Sequence, residues 1–137
     1  MRVHELKSHF GWPGDGGLGL RLIASIQAGA KTATCCPVEL CTKAEIAETR
    51  ATVGRLLTVV DQHGAPHCNI RVVEVFETPW GAPDPRLVRR EGFASVDEWR
   101  AAMSDAWRDI LREKRLTLRD DSPMLAELFE LAAPDEE

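Results

Sequence analysis

Two apolar runs, Leu56–Val60 and His67–Glu77, flank the turn-forming stretch Gln62-His63-Gly64-Ala65. Runs of this kind on either side of a short polar turn predict an antiparallel hairpin. In the second run, Ile70, Val72 and Glu74 share one face at the two-residue period of a strand. Val73, Val75 and Cys68 do not alternate cleanly with them. A strand apolar on both sides needs cover on both sides, as in a small closed barrel with helices outside. No other feature restricts the fold as much, because it rules out an all-helical chain.

The remaining elements fit around this hairpin. Leu18, Leu22 and Ile26 recur at helical spacing, which predicts a helix over Leu18–Gln27 stopped by Gly29. Thr42-Lys43-Ala44-Glu45 is a capping box opening a short helix from Lys43 to about Thr52, with Gly54 ending it. Ser95-Val96-Asp97-Glu98 is a second box. It opens the longest helix, to about Lys114, with Val96, Trp99, Met103, Trp107, Ile110 and Leu111 on one stripe. Met124–Leu131 alternates as a last strand, and Pro134–Glu137 reads as an acidic tail. Cys35–Leu40 is ambiguous, Pro79–Pro85 is a loop, and Arg86–Gly92 is a short turn or helix end. The 137 residues therefore make one α+β domain.

Composition narrows the function classes. The net charge of −5 gives the whole molecule no attraction for nucleic acid, so any such binding needs a local basic patch. No apolar run approaches the roughly 20 residues needed to cross a bilayer. Met1–Phe10 carries Arg2, Glu5 and Lys7 besides His4 and His9, which is unlike a signal peptide; the expected location is the cytoplasm. Four cysteines, Cys35, Cys36, Cys41 and Cys68, are expected to be thiols packed as small hydrophobes. A zinc set of Cys36, Cys41, His67 and Cys68 lacks the spacing of structural sites, so no metal is expected. Gly14, Gly16 and Gly19 match a dinucleotide loop but follow no strand, and Gly29-Ala30-Lys31-Thr32 lacks the glycines of a phosphate-binding loop. No cofactor is expected.

The chemistry concentrates in Ala28-Gly29-Ala30-Lys31-Thr32-Ala33-Thr34. Lys31, Thr32 and Thr34 leave a helix end on a sharply turned backbone. One cation and two hydroxyls would suit an anionic or carbonyl-bearing ligand. The plainer alternative is a capped helix followed by an edge strand with a solvated lysine. Arg86, Arg89 and Arg90 form the one dense basic cluster, flanked by Trp80 and Phe93. The cluster either contacts phosphates while an aromatic ring stacks on a base, or is a solvated patch offsetting Glu91 and Asp97. Trp99 and Trp107 fall on the core stripe.

Taken in order from about Phe10 to Leu131, several of these pieces together resemble the ASCH domain, a family related to the PUA RNA-binding fold. They are Phe10-Gly11, Gly29 to Thr34, Val59-Val60-Asp61 with Gly64-Ala65-Pro66, Ile70 to Phe76, Glu91-Gly92, Glu98-Trp99-Arg100 and Met124 to Leu131. The resemblance implies a small PUA-like β-barrel with helices packed on the outside, and a cleft that binds RNA or a modified nucleoside. Some members resemble an amidohydrolase that deacetylates acetylcytidine; there the resemblance implies Lys31, Thr34 and Glu91 as catalytic residues. Thr32, Arg86, Arg89, Arg90 and Trp80 are the expected ligand contacts. An interaction domain with no nucleotide ligand is a third reading, and oligomeric state is open. Met103 stands where many members have His, Arg55 where Asp is common, and Leu87 to Arg90 replace the usual Phe-Ala. Lys31 and Glu91 are expected within reach of each other as partly exposed groups, so that substituting them leaves the melting temperature nearly unchanged.

Overall fold

The computed structural model describes residues 1–133; the acidic tail expected at Pro134–Glu137 lies outside them. Helix α1 (Leu18–Gln27) buries Gly19, Ile23 and Ile26. The stripe read from the sequence is turned slightly, because Leu18 and Leu22 lie beside this face and line a cleft. At its end Gly29 takes φ +78°, and the N–H groups of Ala30 and Lys31 both donate to the Ser25 carbonyl, at 2.9 and 3.1 Å. This is the left-handed termination that a glycine permits.

Among the described residues five strands form one sheet: β1 (Lys7–His9), β2 (Ala33–Pro37), β3 (Leu56–Val60), β4 (Pro66–Pro79) and β5 (Pro123–Leu131), in the spatial order β1-β3-β4-β5-β2. The hairpin β3–β4 pairs antiparallel from Leu56 opposite Arg71 to Val59 opposite Cys68. Its turn is held by Asp61, which accepts from the N–H groups of His63 and Ala65 and meets His67 Nε2 at 2.8 Å. These partners hold its carboxyl at about 2, led by the His67 contact.

The uneven pattern of β4 has a structural cause. A bulge between Val72 and Glu74 makes Val73 an extra residue relative to β5. Cys68, Ile70 and Val72 before it, and Val75 after it, therefore pack against one core. Glu74 moves to the opposite face, where it meets Arg86, whose guanidinium lies over the Phe76 ring.

β1 was not legible as a strand, since Lys7-Ser8-His9 is short and polar. It pairs parallel to β3, and a buried polar chain holds the segment before it. His4 N donates to Thr58 Oγ1, Thr58 Oγ1 to Asn69 Oδ1, and Asn69 Nδ2 to the Arg2 carbonyl. β1 and β2 are the two edges of the sheet and do not pair with each other. The sheet is thus not closed by hydrogen bonds. The architecture is α+β with a mixed open sheet, in place of the closed barrel expected from the sequence.

Two hydrophobic clusters lie about the sheet. Ile23 and Ile26 of α1 pack with Phe10, Val59, Ile70, Val72 and Phe129. In the other cluster, Leu87 and Val88 of α3 (Pro85–Arg90) and Trp99 of α4 (Val96–Glu113) pack with Trp80, Met124, Ala126 and Leu128. β5 is buried from both sides. Helix α2 (Lys43–Arg50) buries none of its side chains, so its complete Thr42/Glu45 capping box, worth about 1 kcal/mol, does more than packing to fix its start. At α4 only half of the expected box forms. Ser95 Oγ accepts from Glu98 N, but the Glu98 carboxylate reaches back to Ala94 N, one residue earlier.

Candidate functional site

Lys31 follows the glycine stop of α1 and precedes β2, and its side chain turns inward. It is only 4% exposed. Its Nζ donates to the Ala33 carbonyl at 2.5 Å and to Glu91 Oε1 at 3.0 Å. The Phe10 ring centroid lies 5.9 Å away. Glu91 caps the end of α3, whose start is fixed by Pro85 and by the Asp84 side chain accepting from Arg86 N. Gly92 then takes φ +95° and brings its Cα side close to the Ala30 carbonyl. The other Glu91 oxygen accepts from Trp99 Nε1 at 2.5 Å and lies 3.5 Å from Cys35 Sγ. The buried carboxylate thus has an ammonium on one oxygen and neutral donors on the other, the arrangement a buried ion pair needs.

A clasp holds the two loops together. Thr32 N donates to the Arg90 carbonyl at 2.7 Å, Arg90 Nε to Thr32 Oγ1 at 3.1 Å, and Arg90 Nη2 to the Phe129 carbonyl at 2.8 Å. Thr32 and Arg90 therefore position Lys31 against Glu91, and neither lines the cleft.

Lys31, Thr34 and Glu91 line a single cleft of about 610 Å³, together with Glu127, which lies opposite Thr34 in the β2–β5 register. Phe10, Trp12, Phe93 and Trp107 contribute aromatic wall, and Met103 lies among them. Both sheet edges, β1 and β2, border it. Burial and the neighbouring Glu91 carboxylate push the Cys35 thiol well up, so it serves as a weak donor and not as a thiolate nucleophile. Burial pushes the Glu127 carboxyl up to about 6, with Lys31 pulling the other way.

The other expected contacts lie elsewhere. Arg86 is paired with Glu74 at 2.7 Å and Asp84 at 3.0 Å. Arg89 is exposed and does not line the cleft. Trp80 is buried with its ring centroid 5.0 Å from Trp99 and 6.0 Å from Trp107, so it is core and not a platform for a base. Phe93 does reach the cleft. Trp99 and Trp107, read from the sequence as core alone, have a second part: the indole N–H of one holds Glu91 and the other is cleft wall. Glu127 was missed, although it is the single charge inside the apolar run Met124–Phe129. The Trp99–Glu91 contact left no such mark.

The cysteines separate. Cys36 and Cys41 approach to 3.2 Å through their sulfurs, and Cys68 belongs to a hydrophobic cluster. Among the described residues, no group of three or more His, Cys, Asp or Glu could hold a metal ion, and no helix is long and apolar enough to cross a membrane.

Fold and cleft together define a small α+β domain with a mixed five-stranded sheet and a ligand-sized, partly aromatic cavity beside a buried lysine–glutamate pair. The chain belongs to the ASCH domain family, whose model matches residues 15–133. Among solved structures it is similar to a protein from Enterococcus faecalis, with TM-score 0.72 and 23% identity over 94% of this chain and 82% of that one. It is also similar to an ASCH domain from Lactobacillus crispatus, with TM-score 0.70 and 20% identity over 93% of this chain and 81% of that one. At these identities the likeness speaks for the fold. A search of curated proteins gives no match.

Proposed function

We propose that the cleft binds a nucleoside-sized ligand, either a modified nucleoside or an unpaired nucleotide of RNA, through Lys31, Thr34 and Glu91. The ASCH family is generally thought to bind RNA, which gives the reading its class. The observation that carries it is the cleft itself: about 610 Å³, within the range of small-molecule sites, with aromatic walls and a few polar groups at one end. A long RNA is disfavoured by the net charge of −5 and by the position of the arginine cluster outside the cleft.

Amide hydrolysis of an acylated nucleoside is the second reading, favoured by the presence of an ammonium, a carboxylate and a hydroxyl in the same cleft. In that reading Thr34 attacks the carbonyl or orients water, Glu91 accepts the proton, and Lys31 stabilises the oxyanion. Glu91 would then have to loosen its contacts to Trp99 or Cys35 to take the proton.

Calorimetry against nucleosides, acetylcytidine and short unpaired oligoribonucleotides tests both readings. Thr34→Ala is the variant of choice, because Thr34 is only half-buried and outside the ion pair. Saturable binding to the wild type, weakened in Thr34→Ala with an unchanged melting temperature, is expected. No binding by any of the probes overturns the proposal. Release of acetate by the wild type and not by Thr34→Ala makes the protein a hydrolase.

A further inference from the structure

The polar groups of the cleft differ in how far the protein itself satisfies them. Lys31 and Glu91 are tied to each other, to Ala33, Trp99 and Cys35. The Glu127 side chain makes no hydrogen bond to any described residue, although it stands in the middle of β5 with its chain neighbours buried. Val75 lies opposite it on β4 and Thr34 on β2. A half-buried carboxylate in such a wall, with no protein donor of its own, is free to accept from a donor that arrives with the ligand.

Two further features bear on what that ligand is. Phe10, Trp12, Phe93 and Trp107 line the same cavity, which suits a flat ring. The charged side chains lining it are Lys7 and Lys31 against Glu48, Glu91 and Glu127, an excess of one negative charge. A phosphate gains nothing here, and an uncharged ring bearing N–H groups does.

We propose that Glu127 is the ligand-reading residue of the cleft, its two carboxylate oxygens accepting from two adjacent N–H donors on the edge of a heteroaromatic base. Among the common nucleosides, guanosine carries that pattern, through its ring N1–H and its 2-amino group. The two oxygens of one carboxylate match two parallel N–H bonds, the geometry that makes fork-like pairs strong and selective. This assignment rests on the nucleoside-binding reading above and gives it a base class.

The pairing needs the ionised carboxylate. Because burial holds this carboxyl up near 6, binding should weaken as pH falls through that value. Several other groups face the same space: Lys31 from the loop before β2, Cys35 and Cys36 from β2, Glu91 from the end of α3, Lys7 and His9 from β1, and Glu48 from α2. The informative profile is therefore the difference between wild type and Glu127→Gln, which has the same shape and no charge.

Calorimetric titration of guanosine, inosine and cytidine between pH 5 and pH 8 is the test. The wild type should bind guanosine at least about tenfold more tightly than inosine, which lacks the 2-amino donor, as expected for one lost bond to a charged group. The preference should disappear in Glu127→Gln, along with the part of the pH profile near 6. If nucleosides bind but guanosine has no advantage, or Glu127→Gln keeps it, the assignment of Glu127 falls and the cleft reading stands. If none of the nucleosides binds and the oligoribonucleotides also fail, both fall. Glu127→Asp keeps the charge on a shorter arm: loss of the guanosine preference in Glu127→Gln with its retention, even weakened, in Glu127→Asp supports the carboxylate, and a preference that survives in Glu127→Gln overturns it.

Discussion

At the scale of single residues, the Lys31–Glu91 pair ties stability to the site. Both side chains are nearly inaccessible, at 4% and 3%. The sequence alone suits partly exposed groups, whose substitution is almost neutral. Burial reverses that expectation. Removing one charge leaves the other desolvated, a loss of about 3–5 kcal/mol in comparable buried pairs. Glu91→Gln should therefore lower the melting temperature clearly, and adding Lys31→Met to it should restore much of the loss, because the orphaned ammonium goes too. Equal melting temperatures for wild type and Glu91→Gln would show that the pair is open to water in solution. The position of Lys31 was legible through Gly29, because a helix stop is a local event. Glu91 came through resemblance alone, since nothing in Arg89-Arg90-Glu91-Gly92 distinguishes a buried carboxylate from a solvated one. The indole of Trp99 was unreadable as a site group for the same reason: its ring belongs to the core stripe, and its one polar atom finds Glu91 only in three dimensions.

At the scale of elements, Gly19 has a packing role that the spacing of the glycines concealed. Gly14-x-Gly16-x-x-Gly19 matches a dinucleotide loop, yet Gly19 is there because α1 crosses the backbone at Gly11. A Cβ on Gly19 would stand 2.4 Å from Gly11 Cα and 2.8 Å from Gly11 N. Alanine is favoured over glycine in a helix by about 1 kcal/mol, so an open site would gain from the change. Here the obstacle is backbone, and overpacking of this kind costs about 1–3 kcal/mol or more. Gly19→Ala should thus destabilise in chemical denaturation, and a stabilised variant would mean that the two segments are free to separate. The hairpin was legible because its turn and its β-branched runs are contiguous. The bulge at Val73 was not, because an extra residue is defined only against the partner strand, and β5 lies far off in sequence. Closure was not readable for a related reason: helices covering both faces of an open sheet bury β4 on two sides, and alternation cannot tell this from a closed barrel.

At the scale of the whole molecule, connectivity decides which part depends on which. Among the described residues β2 pairs with β5 and with no other strand, and β5 is also the partner of β4 over most of its length. A chain ending at Ser122 should therefore lose β2 from the sheet as well as β5. We expect it to show no cooperative unfolding transition, and a peptide spanning residues 123–133 should restore one when added in excess. A cooperative transition in the shortened chain alone would show that β3 and β4 with their helices are a sufficient unit.

The same connectivity has a consequence for biosynthesis. A nascent chain emerges from the ribosome beginning with its first residues, so Lys31 and Thr34 are made early and Glu91 well before β5. Their shared anchor comes late, because Phe129 N donates to the Thr32 carbonyl and Arg90 reaches the Phe129 carbonyl. Until residues through Phe129 have left the exit tunnel, the loop carrying Lys31 has only its direct bonds to Arg90 and Glu91 to hold it, and β4 lacks its β5 neighbour. The cleft should therefore be complete only once β5 has joined the sheet, and a ribosome stalled before that point should display a chain whose sheet is unfinished.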